Sequence, residues 1–326
     1  MDGVDLDRRK FLALGGGLAA VAGAKAVHNV FLGYGKNLKS QDLAATMRAD
    51  LSPMPFETDV DGLSLDVGRV HAAVERDGDR VGSFRLGDHG DARALESEVE
   101  ADLGLVDLSR DHEALDEGDY EFEFHSFDGF FERVEDATFR PYAVEMLRGD
   151  YVDVPADDVE EVAADPRSTR ELLLGLREGF RERTRYDVPR YLAGSVEDNI
   201  LRRRVDLRRH FENDVGWDSV VAGDARLFCW EYNERSAEAL HSVSAFEQDV
   251  PVAAAEIGDR RHKHAFLGVV TCVWDGGLKL PTAFVDYTHS TLYGDFGLTP
   301  VMGDGLRAFD DGHRADYVRW TRRRTR

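Results

Sequence analysis

Two apolar runs late in the sequence constrain the fold most. Phe266 to Trp274, apolar through Leu267, Val269 and Val270, and Leu280 to Tyr287 flank the turn signal Asp275-Gly276-Gly277. Apolar runs around a short glycine-containing turn predict a β-hairpin. A hairpin returns its second strand alongside its first, so Asp286 comes back beside His264. Upstream, Trp230, Ala237 and Leu240 share one face of a helix predicted from about Asp224, with Cys229 near its N-terminus. A cysteine, a histidine and a carboxylate are the parts of a thiol nucleophile site: the attacking atom, the base, and the group that orients the base. The free N–H groups and dipole of a helix N-terminus favour negative charge on sulfur. Glu231 and Glu234 oppose that charge, and a protonated His264 would restore the balance.

The stretch from Gly223 to Thr288 resembles the core of the transglutaminase-like superfamily. In that family a cysteine opens a helix, a Gly-Ile-Pro-like turn precedes the next strand, a histidine begins that strand, and an Asp-x-Thr follows. The resemblance implies Cys229 as nucleophile, His264 as base and Asp286, in Asp286-Tyr287-Thr288, as orienting carboxylate. Their separations of 35 and 22 residues accommodate a helix, a turn and a strand, then a hairpin. The sequence departs from the pattern at three places. Leu227 replaces the glycine two before the cysteine, the turn reads Asp249-Val250-Pro251-Val252-Ala253, and Phe266 replaces a tryptophan. The implied fold is α+β: a papain-like core with the nucleophile helix packed on an antiparallel sheet. The implied activity is thiol-dependent acyl transfer or amide hydrolysis, as a peptidase or transglutaminase acting on a peptide or protein, with no cofactor.

Three rival readings stand beside it. A transglutaminase-like fold without activity would serve as a binding or scaffold module. His262 and His264, two apart on a strand, point the same way and with Asp286 or His289 could ligate a metal. The chain's two cysteines, Cys229 and Cys272, could form a disulfide. If His264 begins a strand, however, Cys272 lies about 26 Å further along at ~3.3 Å per residue. Cys229 cannot serve both ends, so both thiols are expected to be free.

The 326 residues carry 63 acidic against 41 basic side chains, a net charge of −22, with arginine greatly outnumbering lysine. That charge repels nucleic acid and suits a protein adapted to high salt, where screening removes the self-repulsion. Asp7-Arg8-Arg9-Lys10-Phe11-Leu12 and the apolar run after it resemble a twin-arginine export signal. The expected location is extracellular or cell-surface, and an uncleaved signal would become a membrane anchor.

The expected organisation is a signal peptide or anchor at 1–32, a partly mobile linker at 33–55 with a helical patch from Gln41 to Leu51, and a small α+β domain at 56–145. A transglutaminase-like domain at 146–310 and a basic tail at 311–326 follow. Strands are expected around Leu63–Val67, Val81–Leu86 and Tyr120–Phe124, and helices over Ala92–Leu103, Ser168–Arg185 and Ile200–Phe211.

Overall fold

The computed structural model describes residues 43–148, 154–199, 204–260, 264–295, 297, 305–306 and 315–320. The architecture is α+β. Helix α1 (Leu43–Arg48) precedes an antiparallel meander of β1 (Phe56–Val60), β2 (Leu63–Val67), β3 (His71–Arg76) and β4 (Asp79–Arg85). Next come α2 (His89–Val99), α3 (Leu105–Glu117), β5 (Tyr120–Phe124), α4 (Phe127–Val134), β6 (Thr138–Phe139), α5 (Pro141–Arg148), α6 (Ala156–Val162) and α7 (Thr169–Arg183). The site-bearing half then runs β7 (Thr184–Tyr186), α8 (Val188–Asn199), α9 (Trp217–Val221), β8 (Ala225–Leu227), α10 (Cys229–Leu240), β9 (Ala253–Asp259) and β10 (His264–Val270). It closes with β11 (Val273–Trp274), β12 (Leu278–Val285), α11 (Tyr287–Asp295) and β13 (Tyr317–Trp320).

Among the described residues seven strands form the main sheet in the order β13-β9-β10-β12-β11-β6, with β5 pairing parallel to β12 and every other pair antiparallel. Side chains alternate across a strand, and here both faces are covered. Ala255, Ile257, Phe266, Val270, Leu280 and Phe284 enter one core with the meander, α2, α3 and α5. Ala254, Leu267, Val269, Ala283 and Val285 enter the other with α7 and α10. Burial on two faces explains why β10 reads as a continuous apolar run. Helix α7 supplies the stripe Leu172, Leu173, Leu176 and Phe180, all buried, at helical spacing. Truncating a fully buried ring such as Phe266 would cost ~3–5 kcal/mol.

Segment 56–145 thus supplies both the separate meander and two strands, β5 and β6, of the main sheet. The part of the linker that is described is packed: Met47 is buried, and its carbonyl accepts the Trp320 indole N–H at 3.2 Å. Part of the expected tail is the edge strand β13, with Val318 and Trp320 buried. Apolar side chains on alternate positions let a basic-flanked segment add to the sheet beside β9. Asp88, whose carboxylate accepts the N–H groups of Gly90 and Asp91, starts α2 three residues before the predicted Ala92. The described part of Ile200–Phe211 holds a short 3₁₀ turn rather than a helix, and there Arg208 pairs with Glu197. The signal, residues 33–42 and the metal candidate His262 lie outside the described residues. No described helix is long and apolar enough to cross a membrane.

Candidate active site

Cys229 is the first residue of α10. The predicted start near Asp224 is too early because β8 pairs in parallel with β7, Tyr186 against Leu227, and keeps the chain extended up to Phe228. Non-local pairing here overrides local helical pattern. The first helical bond runs from the Tyr232 N–H to the Phe228 carbonyl, at 3.0 Å. The N–H groups of Cys229, Trp230 and Glu231 therefore belong to the open first turn. Glu231 does not simply oppose a charge on the sulfur. Its carboxylate accepts the Phe228 N–H at 2.6 Å and the Arg190 guanidinium at 2.5 Å. Arg190 also pairs with Asp187 at 3.0 Å and lies 4.0 Å above the Phe228 ring. Asp187 in turn accepts the backbone N–H of Arg190, capping α8.

The base and its partner come from neighbouring strands. Leu267 of β10 faces Val285 of β12, so the residue after Val285 sits at the same end of the sheet as His264. Asp286 Oδ2 lies 2.7 Å from His264 Nε2. The same oxygen lies 2.8 Å from Nδ1 of His289, and Oδ1 accepts the backbone N–H of His289 at 3.0 Å. The two imidazoles stack in parallel, 4.8 Å between centroids and 6° between planes. Asp286, predicted as strand, thus caps α11 instead, and Tyr287 opens that helix. Gly305 anchors the corner, its carbonyl accepting the Asp286 N–H at 3.1 Å. At φ +80°, a Cβ on Gly305 would lie 2.4 Å from the Asp286 carbonyl oxygen, so only glycine fits there.

The Cys229 side chain adds to the influences that keep a proton on His264. Nε2 is committed to Asp286, which leaves Nδ1 as the second nitrogen of the ring. Burial drives the His264 imidazole toward neutrality, but the charge and hydrogen bond of Asp286, helped by Cys229, outweigh it and raise it to about 10. Burial likewise opposes charge on Asp286, yet the two imidazoles hold its carboxyl well below the usual carboxylate range. An ionised carboxylate only accepts, so His264 Nε2 and His289 Nδ1 both carry hydrogens. Beside them burial pushes the Tyr186 phenol well up, with Cys229 adding to the effect, so Tyr186 stays a neutral donor.

The three residues expected to carry the chemistry, Cys229, His264 and Asp286, therefore meet at one end of the sheet, all buried. Cys272 does not join them. It is a free, buried thiol whose carbonyl accepts the Arg140 N–H, and burial pushes it well up. Arg190 is not among the residues the sequence pattern singles out, and His289 enters that pattern only as a metal-ligand candidate. The shared signal is an aspartate followed three residues later by the partner, Asp187/Arg190 and Asp286/His289, at the start of a helix. Ligand atoms of His264, Asp286 and His289 also lie within 4.8 Å of one another, a donor set that suits zinc. Their oxygen–nitrogen distances of 2.7 and 2.8 Å are those of hydrogen bonds, and a metal would have to displace both protons.

No family model matches the chain, and no curated protein or solved structure matches it either.

Proposed function

We propose that this protein is a transglutaminase-like thiol enzyme that transfers or hydrolyses acyl groups of peptide or protein amides. The observation that carries the reading is the placing of Cys229 at the open start of α10, near enough to influence the charge of a His264 ring that Asp286 holds at 2.7 Å. A helix start and a neighbouring imidazole are the surroundings in which a cysteine serves as a nucleophile. The sulfur attacks the amide carbonyl carbon, and its oxygen takes negative charge near the Cys229 backbone N–H. As the C–N bond breaks, the protonated His264 gives its proton to the leaving amine, and a thioester remains on Cys229. Consuming the sulfur's charge removes one of the influences that hold the proton on His264, which helps it act as the acid. Water or a second amine then attacks the thioester carbonyl and gives a proton to His264 as the C–S bond breaks, so Cys229 leaves as the thiolate and the starting pair is restored. Asp286 stays ionised throughout and holds the ring.

The alternative is the same fold without activity, serving as a binding or scaffold module at the cell surface. Acylation with p-nitrophenyl acetate separates the two. The enzyme reading expects a nitrophenol burst, an acetyl group found on Cys229 by mass spectrometry, and turnover of that thioester. It also expects iodoacetamide to modify Cys229 far faster than Cys272 near neutral pH, an advantage that His264→Ala abolishes and EDTA leaves unchanged. A Cys229 that reacts no faster than Cys272, or a Cys229–Cys272 crosslink in the non-reduced protein, would leave the scaffold reading in place.

A further inference from the structure

We infer that His289 is a positioning residue of this site: it clamps Asp286 and, through that carboxylate, holds the His264 ring toward Cys229. The inference rests on the thiol acyl-transfer reading. A carboxylate turns easily about its last torsion, and a single bond from His264 would leave it free to swing. His289 removes that freedom at both oxygens. Its backbone N–H reaches Oδ1 at 3.0 Å, and its Nδ1–H reaches Oδ2 at 2.8 Å, the oxygen that also accepts His264 Nε2–H. Both donors come from one residue in the first turn of α11, so the start of a single helix supplies the carboxylate and its clamp.

The ring adds a third constraint. It lies parallel to the His264 ring at 4.8 Å, so His264 cannot tilt toward that side without meeting His289. Both imidazoles and the carboxylate are buried, which keeps water from replacing any of these bonds. Gly305 fixes the backbone of Asp286 from the other side, through the 3.1 Å bond to its N–H. The carboxylate is thereby held at its backbone, at both oxygens and by two rings. The orientation of the His264 ring is thereby set in advance.

Three substitutions test this. His289→Asn keeps an N–H donor near the place of Nδ1, His289→Gln carries it too far out, and His289→Leu fills the volume with no donor. The readouts are the rate constant of iodoacetamide with Cys229 at neutral pH and the solvent-protected His264 Nε2–H resonance in the proton NMR spectrum. The leucine variant is expected to lose about 10-fold or more in rate, in the range usual for partners that orient a functional ligand, and to broaden the resonance. The asparagine variant should recover most of both and exceed the glutamine variant several-fold. Equal rates in the asparagine and glutamine variants, or a leucine variant that keeps the wild-type rate and resonance, overturn the inference. His264→Ala measured alongside distinguishes the two levels. If it leaves the rate unchanged, the acyl-transfer reading itself falls; if it lowers the rate while the His289 series does not, only the role of His289 falls.

Discussion

Asp286 Oδ2 lies 2.7 Å from Nε2 of His264, although 22 residues of chain separate them. The β10–β12 pairing closes that distance, and burial gives it force. Away from water each partner would otherwise lose its charge, and each keeps the other ionised.

Replacing Asp286 by asparagine removes the opposing charge and leaves the burial. The His264 imidazole should then fall from about 10 to its ordinary value or lower, because burial becomes the dominant influence. Iodoacetamide modification of Cys229 should slow in the same variant. NMR titration of the His264 ring checks this, and a midpoint still near 10 in the asparagine variant would be incompatible with the assigned pairing.

Stability should depend on pH from both partners, with opposite signs. His264 is raised from 6.5 to about 10, so its contribution is complete below pH 6.5 and lost as pH climbs through 10. Asp286 is depressed, so its contribution is present above its unfolded value of 3.8 and lost as pH falls from there through its lower folded value. The alkaline loss is on the order of a few kcal/mol at the limit, because a tenfold difference in proton affinity between folded and unfolded chain corresponds to about 1.4 kcal/mol. Thermal melting at pH 7 and above pH 10 should differ more in the wild type than in His264→Ala, and equal slopes would count against it.

High salt should stabilise the protein. The excess of 63 acidic over 41 basic residues is self-repelling, and at 1 M salt the screening length falls to ~3 Å. The melting temperature is therefore expected to rise between low and molar KCl. A flat or falling curve would remove the halophilic reading.

Export should depend on Arg8 and Arg9. Replacing both with lysine keeps the charge but breaks the twin-arginine pattern, and the protein is expected to accumulate in the cytoplasm. Unchanged appearance outside the cell, followed by immunoblotting of fractions, would argue for another route.

Local patterns were readable where the residues that decide them are close in sequence. The alternation in Leu63–Val67 and Tyr120–Phe124 appears as strands β2 and β5, and the stripe Leu172, Leu173, Leu176, Phe180 appears on helix α7. Helix α3 escaped notice because its buried residues Leu105, Leu108 and Leu115 are interrupted by polar ones, and Ser109 and Asp111 are buried with them. Asp111 faces inward only because Arg140, 29 residues later, meets it at 2.9 Å. No local pattern announces such a partner.

The sequence by itself determined the site's ingredients: the hairpin, the order Cys229, His264, Asp286, and the acidic surface. These follow from side-chain chemistry and from turns a few residues long. The tertiary structure alone decided that α10 begins at Cys229, through the parallel pairing of β7 with β8. It also decided that Arg190 takes up the charge of Glu231, and that Asp286 caps a helix and binds two imidazoles at once. Each of these rests on contacts between distant segments, whose strength depends on burial that only the folded chain creates.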